Sequence, residues 1–168
     1  MLMGIRRKWT MFCVNYLFQG TNDRYWERKR KLLNAIGHEI GEGTKVVGPV
    51  RLYGKLHTGK NVWLGTNFTI HGLGNVYLGS NCDIAPDVTC LTGSHEIGTH
   101  ERRAGQGVTQ DIVIGDGCWI CARSTLVGSC HVGNGSIIAA GAVVNAEIDS
   151  NSIAGGIPAK VIRKLEGE

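Results

Sequence analysis

The chain has 168 residues with 25 Gly and only 3 Pro, which is long enough for one domain with a sizeable core and too poor in proline for a disordered tract. The net charge of +4 is uneven, because residues 1–36 carry eight Lys or Arg against Asp23 and Glu27. The remaining body is therefore slightly acidic, which argues against a nucleic-acid binder, whose basic stripe belongs on its folded part.

Residues 5–19 and 23–36 are predicted as two helices broken at residues 20–23, with Asn22 or Asp23 as N-cap and Gly37 ending the second. Basic residues followed by an apolar run from Trp9 to Phe18 imitate a targeting segment. The run is too short to span a bilayer, and no small-x-small cleavage site follows it. The expectation is a helix packed on the folded body or on a neighbouring subunit, ahead of a helix lying on a membrane. Trp26, Arg30 and Leu33 fall at helical spacing in the second helix, so residues 1–37 read as a small amphipathic lid.

From Ile40 onward the pattern changes to a period of six. Ile40, Val46, Leu52, Thr58, Leu64, Ile70 and Val76 lead successive hexads. The phase slips by two residues at the 72–75 turn, and Leu78, Ile84 and Cys90 then resume it. The next leaders would be Glu96 and Arg102, which cannot line an apolar interior unpaired. The chain is thus expected to leave its regular path for a polar excursion, residues 95–107, and to return at Val108. Ile114, Ile120, Leu126, Val132, Ile138 and Val144 follow, with a column of small residues (Cys118, Ser124, Cys130, Ser136, Ala142) two places before each leader.

Six is neither the 3.6 of a helix nor the 2 of an ordinary strand. It fits an all-β solenoid over residues 38–150 whose triangular coil takes three hexads, the leaders stacking inside. Insertions in such repeats cluster on the binding face, so the excursion is where chemistry is expected. Cys118 and Cys121 have a C-x-x-C spacing but fall in different small columns, and Cys130 shares the column of Ser124 and Ser136, so the six cysteines read as packing thiols of a reducing cytosol. Residues 151–168 read as a crossing segment and a short helix opened by Pro158, with Lys160 and Arg163 on one of its faces.

The hexads, the segment Thr92-Gly93-Ser94-His95, the stretch from Ile114 to Ile120 with Trp119, and the closing run from Ala154 to Arg163 together resemble the hexapeptide-repeat acyltransferases. Within them the chain is similar to the galactoside and maltose acetyltransferases and to related enzymes of surface-polysaccharide synthesis, over about residues 40–164. The resemblance implies a left-handed parallel β-helix, a cytoplasmic homotrimer with sites between subunits, acetyl-CoA as co-substrate and no metal. It implies His95 as general base. From the residues alone, a loop histidine with a local hydrogen bond explains His95 equally well. Trp119, Ala122, Ala140, Asn145, Lys160 and Arg163 match cofactor-lining positions, although packing accounts for Trp119 as readily as a thioester wall does, and a solvated helix end accounts for the two cations.

The chain departs from the family in three places. Asn145-Ala146-Glu147 replaces a usual Thr-Lys-Asp, Lys160 replaces a usual Arg, and Gly65 and Leu73 replace sugar-contacting Asn and Asp. The acceptor expected is therefore a sugar or glycan precursor other than a galactoside, with Asn67 and His71 as polar candidates for contacting it. Two alternatives stand beside this. One is a metal hydratase resembling the gamma carbonic anhydrases, prompted by the His95-x4-His100 spacing; the other is a xenobiotic acetyltransferase on the same core.

Overall fold

The structure, a computed structural model, describes residues 2–18, 20 and 23–166. The hexads form a parallel solenoid with three faces. On face 1 the ladder runs Val46, Leu64, Ile84, Ile120, Ile138, Ala154. On face 2 it runs Leu52, Ile70, Cys90, Leu126, Val144. Face 3 carries Leu78, Ile114 and Val132 in register, with Thr58 at its start. Every aliphatic leader in these ladders is buried.

The residues two places earlier form a second interior column on each face. Val62, Cys82, Cys118, Ser136 and Ser152 are buried on face 1, and Val50, Phe68, Val88, Ser124 and Ala142 on face 2. Each small member keeps its polar atom satisfied: the Cys82 thiol donates to the Gly115 carbonyl at 3.0 Å and the Cys118 thiol to Gly133 at 3.2 Å. The six cysteines are free, and burial pushes the Cys130 thiol up to about 11.

The corners turn through left-handed backbone stacked coil upon coil. Asn61, Asn81, Gly117, Gly135 and Asn151 make the corner between faces 3 and 1. Asn67, Asp87, Arg123 and Gly141 make the corner between faces 1 and 2. Apart from Arg123, these are the residue types that tolerate positive φ at least cost.

Two of the sequence expectations need correction. The excursion is wider than residues 95–107: strands Gly93–Ile97 and Ala104–Thr109 pair antiparallel, so Val108 lies in a hairpin and the coil resumes at Ile112. Neighbouring coils pair eighteen residues apart in Ile120 with Ile138 and twenty apart across the 72–75 turn in Leu64 with Ile84, but Ile84 pairs with Ile120, thirty-six apart. The insertion equals one full turn, so the period runs through it unbroken and its end is invisible to phase.

The C-terminal helix is a strand, Ala159–Lys164, paired antiparallel with Ser152–Gly156. The last coil leaves an open edge whose backbone groups need partners, and a six-residue helix containing Val161 and Ile162 has little stability of its own to compete with that pairing.

At the other end, α1 (Leu2–Phe12) continues into a π-helical turn, Cys13–Leu17, and α2 spans Asp23–Asn34. The Asn22 cap lies outside the described residues. The lid is tied down through main-chain carbonyls: Arg7 donates to Leu52, and Asn15 exchanges bonds with Val50 at 2.9 Å each way. Lys29, fully buried, donates to Val46 and Val47 at 2.8 Å each, and burial lowers it to about 8.

Candidate active site

The hairpin leaves the solenoid at the corner between faces 2 and 3. Its base is pinned by Thr92, whose N–H and hydroxyl both donate to the His71 carbonyl, at 2.8 and 2.9 Å. His95 stands on the first hairpin strand opposite Gly107. A Cβ on Gly107 would lie 4.0 Å from the imidazole Cε1, so glycine leaves the space beside the ring clear.

The Nδ1 of His95 lies 3.0 Å from the Gly105 carbonyl. A carbonyl only accepts, so in this pair Nδ1 carries the proton and the neutral ring presents a free lone pair at Nε2. The orienting group is thus main chain. Sequence reasoning had no signal for Gly105, since the hairpin register decides which carbonyl meets the ring.

The other candidate residues fall into two groups. His71 is exposed on the outer edge of face 2, where its ring stacks on Tyr53 at 5.8 Å between centroids. It shares an outward row with Leu91 and Val127, and the same register carried one residue further puts Asn145 beside Val127. His71, Asn145 and the His95 hairpin therefore lie at one edge of the solenoid.

Trp119, Ala122, Ala140, Lys160 and Arg163 lie elsewhere, on face 1 and the corner after it. Trp119 is 52% exposed, so it packs no core. Ala122 and Ala140 stack in successive coils, with the Gly141 N–H donating to the Ala122 carbonyl at 2.9 Å. Face 1 continues outward from Trp119 through Ile137 and Ile153 to Arg163, while Lys160 pairs with Gly155. Trp119 and Arg163 are thus three strand spacings apart, roughly 14 Å. The two cations share a strand rather than a helix face, and neither has a carboxylate partner among the described residues.

Asn67 sits at the corner between faces 1 and 2, at φ 59°, donating to Asp87 at 2.9 Å. Its side chain holds a turn, and the chain does not bring it to the His95 edge. A side chain on Gly65 would meet the Ala85 and Pro86 backbone inside 3 Å, whereas Leu73 is 81% exposed beside the hairpin corner. His100 is at the hairpin tip, and among the described residues no three His, Cys, Asp or Glu side chains converge as a metal site.

Comparison with known proteins agrees with this architecture. Residues 111–146 match the family model for bacterial transferase hexapeptide (six repeats). The chain is 31% identical to galactoside O-acetyltransferase of Escherichia coli (strain K12), over 89% of this chain and 75% of that protein. Among solved structures, a galactoside acetyltransferase in complex with coenzyme A superposes with a TM-score of 0.82 at 30% identity, covering 96% of this chain and 80% of that one. A maltose O-acetyltransferase from Clostridium difficile 630 superposes with a TM-score of 0.79 at 25% identity, covering 99% and 90%. The chain belongs to the hexapeptide-repeat acyltransferases, left-handed parallel β-helix proteins, in the group of the galactoside and maltose O-acetyltransferases.

Proposed function

We propose that this protein transfers an acetyl group from acetyl-CoA to a hydroxyl of a sugar or glycan precursor, with His95 as general base. The observation that carries the reading is the imidazole whose Nδ1 is held by the Gly105 carbonyl, leaving a basic Nε2 on an arm beside the coil. The neighbour crystallised with coenzyme A supports the donor. The acceptor oxygen attacks the thioester carbonyl while Nε2 takes its proton, which prevents a high-energy oxonium from forming. The tetrahedral intermediate then collapses, the C–S bond breaks, and the proton on Nε2 passes to the leaving thiolate. No covalent enzyme intermediate is required.

In this reading Trp119 walls the thioester and Ala122 and Ala140 leave the corner open to the pantetheine arm. Lys160 and Arg163 meet phosphate at the far edge of the same face, where unpaired cations on a strand suit an extended anion. The base and the donor slot occupy different edges of one protomer, so a complete site joins two subunits of a homotrimer. The exposed Leu73 and His71 beside the hairpin line the acceptor side and favour a ligand other than a galactoside. Asn67, tied to Asp87, is not assigned to the acceptor.

Replacing His95 with Ala should lower kcat by about 10²- to 10⁴-fold with the donor KM nearly unchanged, the range ordinary for a general base. Replacing Lys160 and Arg163 with Ala should instead raise the donor KM. Steady-state kinetics with a free-thiol readout checks both, and an equal loss of kcat and coenzyme A affinity in the His95 variant would show a structural residue.

A further inference from the structure

Helix α1 and the π-helical turn that continues it grip the solenoid with one side only. Thr10, Val14 and the guanidinium of Arg7 face inward, buried or bonded to the first coil. On the opposite side Ile5, Trp9, Phe12 and Tyr16 are 61, 62, 43 and 64% exposed. The three rings contact one another in series, with centroids 5.6 and 5.5 Å apart, so the stripe is a continuous apolar ridge. At 100° per residue, Arg6 and Lys8 flank that ridge on its two sides, and both are exposed. Helix α1 contains no acidic residue.

We propose that this stripe is an interfacial docking face that lays α1 on an anionic phospholipid bilayer. Trp and Tyr rings with polar edges suit the headgroup level, and flanking cations meet lipid phosphates. No described helix is long and apolar enough to cross a membrane, so the geometry is one of lying on the surface. A second copy docked ridge to ridge fits the face less well. Opposing two such ridges brings Arg6 and Lys8 of one copy toward those of the other, with no carboxylate on the helix to compensate. Anionic headgroups supply that missing charge.

The test is flotation of the full chain with vesicles of phosphatidylcholine alone or with about one-third phosphatidylglycerol, alongside sedimentation equilibrium without lipid. The protein should float with the anionic vesicles only and be released by salt. Trp9→Ser/Phe12→Ser/Tyr16→Ser and Arg6→Glu/Lys8→Glu should each reduce the bound fraction about tenfold or more, with unchanged circular dichroism, because the replaced side chains are exposed. Failure of the parent protein to float with anionic vesicles, or variants that float equally well, overturns the proposal. A lower solution mass for the triple variant than for the parent also overturns it, by assigning the ridge to contact between copies.

Discussion

At His95 the ring nitrogen facing Gly105 must carry its proton, while at His38 the ring nitrogen facing the Leu56 N–H must lack one. The same side chain therefore has opposite polarity at its free nitrogen. His95 offers solvent a lone pair, whereas His38 buries an N–H at Nε2 without a partner among the described residues. Burial, with the charges of Arg7, His57 and Lys55 nearby, lowers His38 to about 4. The unfolded chain keeps the ordinary value near 6.5, so between these limits it binds more protons than the folded protein. Stability should thus fall as pH drops from about 6.5 to about 4, by on the order of 3 kcal/mol from this residue. His38→Asn, which keeps a short acceptor for Leu56, should flatten that dependence relative to the parent in thermal melts across the window. Parallel curves would show that His38 does not titrate with folding. None of this could be read from the chain, because His38 carries no periodic signal and its partner is eighteen residues away.

The hexad was legible because each coil repeats one local geometry, so burial at every sixth position marks face after face without knowledge of long-range contacts. What it concealed is where the insertion ends, because its eighteen residues restore the phase they interrupt. That equivalence makes a specific deletion conservative. Replacing residues 92–110 with a single glycine joins Leu91 to Asp111 in the pattern of the next coil, where Gly128 turns the same corner at φ 68°. The coils on either side of the deletion should then pair eighteen apart, and the shortened protein should remain a folded β-solenoid by circular dichroism while losing acetyl transfer entirely. Loss of fold would mean that the hairpin supports the solenoid rather than riding on it. The C-terminal strand was illegible for a different reason: an open edge belongs to the assembled sheet, and a stretch such as Ala159–Lys164 takes its conformation from that edge rather than from its own spacing.

For the whole molecule, the separation of the His95 edge from the face of Trp119 and Arg163 decides how activity must depend on assembly. A site completed between subunits requires His95 from one copy and the open corner at Ala140 from the next. His95→Ala lacks the base but keeps the corner, and Ala140→Trp keeps the base but fills the corner, so each alone should be inactive. In the proposed trimer, the two variants unfolded together at equal amounts and refolded should form mixed closed rings in which an intact base meets an intact corner at about one junction in four. The mixture should therefore recover about a quarter of the parent turnover per site, with a solution mass near three times 18.1 kDa. A site contained in one chain predicts no recovery at any ratio, since no chain in the mixture holds both halves. Recovery that follows mixing without refolding would mean that subunits exchange freely, and the same arithmetic would then hold at the exchange equilibrium.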